Sequence, residues 1–377
     1  MNLNILIAID SFKGCLSSKK AGQMVAAGLH SVDSRVRTNI IQIADGGEGS
    51  AEAIHARYKG KWITAHVQDP LHQLITAKFL LTDIDGLQTA VIESADCLGI
   101  NLVDQQPSVV ERSSSYGLGM LIDKALHCGA KQIIVMLGGT AVTDGGLGML
   151  QALGARIYDS EKKELSVRTN PLFAFASMDM APAVRRLNSI KLIAASDVTN
   201  PFCGEKGAAT VFASQKGASP KQIWQLDKKL SDMVKWASKA DFSQKPGSGA
   251  AGGIGGACLL LGGSIHAGFP LISRLIHLSE AIQQADIVFT GEGCLDGQSN
   301  YGKVPFCIAT LCNHYQVPVI ALAGKREVHL GKLDHLLDAS FSIQLGPSSL
   351  ETAIACAEEN LKVVAAQVFR CLSIFNK

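Results

Sequence analysis

Apolar runs of strand length alternate with helix-period segments at both ends of the chain. Ile5–Ile9 is continuously apolar and reads as a buried strand. Ser17-Ser18 predicts the cap of a helix running through Leu29, with Met24, Val25 and Leu29 on its inner side. Thr38–Ile43 reads as a second strand, and Asp45–Glu48 opens a second helix through Tyr58. The far end repeats the alternation: strand Asp286–Phe289, helix Val304–Cys312, strand Val317–Ala323, a shorter strand Phe341–Leu345, and a long closing helix Glu351–Leu372. Strands separated by helices predict an α/β fold, a parallel sheet covered on both faces, and right-handed crossovers then suit a flavodoxin-like order.

The middle of the chain has a different rhythm. Trp62–Val67, Ile75–Leu81 and Ala90–Ile92 are predicted strands with hairpin-length connections, and Thr82-Asp-Ile-Asp-Gly86 carries a turn signal. A helix over Gly117–Cys128 and a strand over Gln132–Leu137 follow. Asp197–Phe202 and Gly247–Gly256 read as long loops, and Gln222–Ala240 as an amphipathic helix with its lysines outside. This predicts a discontinuous flavodoxin-like domain, 1–60 with 273–377, and an inserted α+β domain over 61–272, with the active site expected in the cleft between them.

Composition narrows the function. A chain of 377 residues with 47% hydrophobic content is long enough for two full cores and is not disordered. A net charge of +2, with no run of five like charges, lacks the electrostatic footprint of a nucleic-acid binder. None of the ten cysteines forms a CxxC pair, so reduced thiols and a cytoplasmic location are expected. Ile5–Ile9 is too short for a signal-peptide core and ends at Asp10. No stretch has the roughly 18 uninterrupted apolar residues of a membrane span.

Ligands of parallel α/β domains bind beyond the carboxyl ends of the strands. The segments at those ends are Asp10-Ser-Phe-Lys13, Ala44-Asp-Gly-Gly-Glu48, Thr290-Gly-Glu-Gly293 and Gly324-Lys-Arg326. The richest stretch runs from Thr290 to Lys303, where an apolar run meets glycines together with Glu292, Asp296 and Lys303. Small residues admit a ligand to the backbone, and charges of both signs suit a phosphorylated ligand with a metal. Caps of helices explain any one such loop equally well, but do not require lysines.

Two letter matches carry less than they suggest. Gly247-Ser-Gly-Ala-Ala-Gly252 fits G-x-G-x-x-G, but no strand precedes it, so an anion-binding helix start at Gly252–Gly256 is the better expectation. Gly297 to Lys303 nearly fits a P-loop, but Val304 replaces the hydroxyl that would hold Mg²⁺. Any metal must therefore use other ligands.

These segments together resemble the bacterial glycerate kinase family, class I. The resemblance rests on Asp10-Ser-Phe-Lys-Gly-Cys-Leu-Ser-Ser18, Ala44-Asp-Gly-Gly-Glu-Gly-Ser50, Gly138-Gly-Thr-Ala-Val-Thr-Asp-Gly-Gly146 and Ser196-Asp-Val-Thr-Asn-Pro-Phe-Cys-Gly204. It continues through Gln215-Lys-Gly217, Pro246–Gly253, Thr290–Gln298 and Gly302-Lys-Val-Pro305. It covers essentially the whole chain in order. Ser299 stands where the family usually has Thr, and Val142 replaces an amide.

The resemblance implies ATP-dependent phosphorylation of D-glycerate at the 2-hydroxyl. Transfer to the 3-hydroxyl, another small hydroxy acid as acceptor, and a non-catalytic sugar-acid sensor stay open as alternatives. The expected parts are those of phosphoryl transfer. Lys13 would hold the glycerate carboxylate, with Asp10, Ser11 and Arg326 beside it. Asp45, Asp197 and Asp296 would hold Mg²⁺. Gly138, Gly139, Thr140, Gly252, Gly253 and Glu292 would contact ATP. Asp197, Asp296 and Lys303 would act catalytically, with Asp197 favoured to orient the attacking hydroxyl. The expected partner is a small-molecule substrate, with no nucleic acid and no membrane, and the enzyme a monomer or homodimer.

Overall fold

The computed structural model describes residues 3–237, 241–297 and 303–374. In chain order the strands are β1 (Asn4–Ile9), β2 (Arg37–Ile40), β3 (Lys61–Gln68), β4 (Leu74–Ile84), β5 (Leu87–Glu93), β6 (Gln132–Met136), β7 (Arg156–Tyr158), β8 (Ser177–Asp179), β9 (Lys191–Ala195), β10 (Ser264–His266), β11 (Ile287–Leu295), β12 (Val319–Arg326) and β13 (Ala339–Ser342). The chain divides into two compact units, one of Met1–Asp45, Glu52–Arg57 and Phe269–Lys377, the other of Gly46–Ala51 and Tyr58–Gly268.

The first unit is built on a five-stranded sheet ordered β13-β12-β11-β1-β2, parallel throughout. Numbered within the unit this is the flavodoxin-like order, as the alternation of strands and helices predicts. Ile5, Ile7, Ile9 and Phe289 pack with Val25, Leu29, Leu361 and Phe369 from the helices Ser18–Val32 and Ala357–Ile374. The alternate positions Leu6, Ala8 and Val288 are equally buried, so water reaches neither face. Ser17 caps its helix by accepting the Lys20 N–H, as expected.

The second unit has a six-stranded sheet ordered β10-β9-β6-β5-β4-β3. β3, β4 and β5 form an antiparallel meander, and β5, β6, β9 and β10 are parallel. The hairpin β4–β5 turns at Asp85 and Gly86, both with positive φ, which matches the twist of the flanking strands. Its core gathers Phe79, Ile92, Leu121, Val135, Leu150, Leu230 and Ile254.

Several boundaries differ from the sequence pattern, each for a local reason. β11 does not stop at Phe289 but runs on through Thr290–Leu295, because β12 continues beside it as far as Arg326. The Gly247–Gly256 loop runs into a helix only at its far end. That helix spans Ala250–Leu260, but its backbone passes through left-handed angles at Ala251, Gly252 and Gly253. The closing helix is broken at Cys356 into Leu350–Ala355 and Ala357–Ile374.

Candidate active site

The carboxyl ends of β1, β11 and β12 open on a cavity of about 730 Å³ within the first unit. The Asp10 N–H donates to Gly291 O at 2.9 Å, carrying the β1–β11 ladder one residue past β1. Phe12 N–H then donates to Leu16 O at 2.8 Å, closing a tight turn with Gly14 at φ 71° and Lys13 exposed beside it. Ser18 secures the end of β1 by donating to Ile9 O at 2.7 Å and accepting from Ile43 N–H at 3.0 Å.

Glycine shapes the β11 side. A Cβ on Gly291 would stand 1.9 Å from Leu322 O, so only glycine permits this approach of β11 to β12. Glu292 follows, buried at 8% exposure although charged. Its Oε2 lies 3.6 Å from Lys303 Nζ, and Asp296 Oδ1 lies 3.7 Å from the same ammonium.

Asp10, Ser11, Lys13, Asp45, Glu292 and Lys303 all line the cavity, so six predicted site residues meet there. Burial pushes the Asp10 carboxyl up to about 7, reinforced by the charges of Asp45 and Glu292 and opposed by the Ser11 N–H and Lys13. A carboxyl balanced near neutrality in a cavity with lysines is equipped to accept a proton.

Arg326 is placed differently. It lies outside the cavity lining, and its guanidinium donates to Ser340 Oγ, to the Glu327 and Val328 carbonyls and to Asp334 Oδ1. Its neighbour Lys325 lines the cavity instead. Strand alternation explains the exchange, since Lys325 pairs with Cys294 and Arg326 with Leu295, on opposite faces. Read as a continuing strand, Gly324-Lys-Arg326 would have pointed to Lys325. Cys15, Cys294 and the 343–350 segment are further lining residues that no motif marked. In the near P-loop, residues 298–302, Ser299 among them, lie outside the described residues.

The remaining predicted residues belong to the second unit. Asp197 is exposed just after β9, and its Oδ1 accepts the Gly268 N–H at 2.9 Å. Gly46 passes beside it, and a Cβ there would stand 2.4 Å from Gly268 Cα and 3.4 Å from Asp197 Oδ2. Gly138 and Gly139 follow β6, Gly139 exposed at φ 62°, while Thr140 is buried. Gly252 and Gly253 are buried packing positions. The Gly253 N–H is spent on Gly249 O, and a Cβ on Gly252 would stand 2.1 Å from Val142 O.

Two buried charges fix the loop that carries these glycines. The Asp144 carboxylate accepts from Ser115 N–H and Oγ, Gly146 N–H and Gly148 N–H. Lys216 Nζ donates to Val142 O at 2.6 Å. Burial pushes the Lys216 ammonium down to about 8, held up in part by Asp144. Part of the family-like pattern is therefore scaffold.

Among the described residues no group of three His, Cys, Asp or Glu side chains forms a cation cage. Mg²⁺ on a nucleotide needs only one or two carboxylates besides phosphate oxygens, and the oxygen donors at this cavity fit that demand. Among the described residues no helix is long and apolar enough to cross a membrane.

A flavodoxin-like sheet ending in a cavity lined by acids and lysines has the parts an α/β phosphotransferase needs. The model of the glycerate kinase family matches residues 5–373, and the chain belongs to that family. It is 36% identical to a glycerate 2-kinase of Escherichia coli K12, over 99% of this chain and 98% of that one. It is equally 36% identical to a glycerate kinase of Bacillus subtilis 168, over 97% of each. A crystal structure from Salmonella typhimurium LT2, provisionally assigned as glycerate kinase 2, aligns over 100% of both chains with a TM-score of 0.86 at 34% identity.

Proposed function

We propose that this enzyme transfers the γ-phosphoryl group of ATP to the 2-hydroxyl of D-glycerate, giving 2-phosphoglycerate and ADP. The observation that carries the reading is the mixed-charge cavity at the carboxyl ends of β1, β11 and β12, in a chain of the glycerate kinase family. The 2-hydroxyl is favoured by the name of the Escherichia coli relative.

Lys13, exposed at its turn, meets the glycerate carboxylate. Asp10 accepts the hydroxyl proton and orients the oxygen. Lys303 moves its charge from Glu292 and Asp296 toward the transferring phosphoryl group, whose loose transition state is stabilised by position and field. Asp45 is the carboxylate of this cavity that would hold Mg²⁺, with Asp197 of the second unit the other candidate for that role, and the metal would neutralise charge on the triphosphate. Ten free thiols fit a cytoplasmic enzyme.

The test is a kinase assay with ATP, Mg²⁺ and D-glycerate, read through added enolase with and without phosphoglycerate mutase. Signal without mutase is expected. Signal only with mutase moves transfer to the 3-hydroxyl, and no signal from folded protein removes glycerate as acceptor.

A further inference from the structure

The cavity lining has two chemically distinct parts. One holds Asp10, Lys13, Glu292 and Lys303. The other is walled by Leu350, Ala353, Ile354 and Ala357, with Pro347 and Ile343 beside them. Leu350, Ala353 and Ile354 form one apolar face of the helix Leu350–Ala355, a face of the kind that covers a core, and Ala357 opens the next helix after the break at Cys356. Here that face borders a cavity, and Leu350 is 77% and Ile354 44% exposed. A three-carbon acid would occupy the polar part and leave this wall bare. At about 730 Å³ the cavity is instead of the size that takes a whole nucleotide.

From these two parts we infer that the apolar wall is the nucleoside subsite. The adenosine of ATP packs against Ala353 and Ile354, and its phosphates run toward Lys303. This rests on the kinase reading above for the identity of the ligand. It places the nucleoside in the first unit and assigns no base contact to the Gly247–Gly252 segment. Continuity of the wall with Lys303 selects the occupant, because only a ligand with a flat body and an anionic tail satisfies both parts.

Two thiols report on the two parts. Cys15 lines the cavity, and its Sγ donates to Ile354 O at 3.5 Å. Cys294 lines it beside Asp296. The native protein is alkylated with iodoacetamide at pH 8.5, and each cysteine is read by peptide mass spectrometry. Adenosine and ADP are expected to slow Cys15 labelling about tenfold at saturation, whereas tripolyphosphate protects Cys294 alone. In parallel, Ala353→Phe, checked for folding by circular dichroism, is expected to raise the ATP KM about tenfold and leave the glycerate KM unchanged.

Cys15 labelling indifferent to adenosine and ADP overturns the inference. So does an Ala353→Phe variant whose glycerate KM alone rises, which would give the apolar wall to the acceptor. If ADP protects Cys15 but no glycerate is phosphorylated, the nucleoside subsite stands and the glycerate reading falls. If glycerate is phosphorylated while Cys15 stays unprotected, the subsite alone falls.

Discussion

Lys303 Nζ stands 3.6 Å from Glu292 Oε2, so an ammonium one-third exposed is matched to a carboxylate that is almost wholly buried. The separation is long for a hydrogen bond, and the ammonium is shared with Asp296. Its charge is therefore held at the cavity without being locked in one contact, as a cation meant for an incoming phosphate requires. Lys303→Met should lower kcat by about two orders of magnitude or more and change stability by only about 1 kcal/mol. Steady-state kinetics beside urea unfolding checks this, and near-normal kcat would remove Lys303 from the chemistry.

Asp10 makes stability depend on pH. Its folded value of about 7 lies above the ordinary 3.8, so the folded state binds the extra proton between those values. Stability from this group is present at low pH and is lost as pH rises through about 7. In EDTA, wild type should lose more stability than Asp10→Asn between pH 5 and pH 8, and kcat of the variant should fall by about two orders of magnitude or more. Parallel pH profiles for the two proteins would show that Asp10 is already ionised.

Lys13 occupies an exposed turn and supports no core. Lys13→Ala should therefore raise the glycerate KM about tenfold while thermal unfolding stays unchanged. An unaltered KM would transfer the carboxylate contact to Lys325.

Asp197 tests the contribution of the second unit. Asp197→Asn keeps an oxygen for the Gly268 N–H but removes the charge. It should depress turnover by about two orders of magnitude and shift the Mg²⁺ requirement upward. Full turnover at ordinary Mg²⁺ would leave Asp197 a purely structural acceptor.

Gly291→Ala should be far more damaging than a one-carbon change suggests. The new Cβ would meet the Leu322 carbonyl oxygen at 1.9 Å, a backbone atom that moves only if β11 and β12 part. A loss of about 3 kcal/mol or more is expected in urea unfolding. A variant as stable as wild type would mean the two strands separate freely.

The fold was largely legible because both ends of the chain state one rhythm, apolar runs of strand length between helical segments, and β1, β11 and β12 form where those runs lie. The cavity was legible where a strand ends in a turn, at Asp10 and Lys13, which both line it. The sequence was misread where glycine signals something other than a turn. Gly291 and Gly324 sit inside paired strands, and Gly252 and Gly253 pack against the 142–145 backbone. Arg326 and Lys325 show the same limit, because adjacent letters face opposite ways only once the strand is known to continue. The apolar wall had no motif at all, since a helical stripe reads identically whether it covers a core or a ligand.

The order of the first sheet also carries a timetable. β1 is an interior strand, paired on one side to β11 by Ile5 with Ile287. On the ribosome that partner is made only after the whole of Tyr58–Gly268 has been synthesised. The second unit thus has all its strands while β1 still lacks its neighbour, and an unpaired apolar edge must be kept from other chains in the meantime. Pairing of β11 with β1 must wait for that interval, and packing of the helix Ala357–Ile374 on Val25 and Leu29 comes later still, so the acids and lysines of the cavity assemble only as synthesis ends.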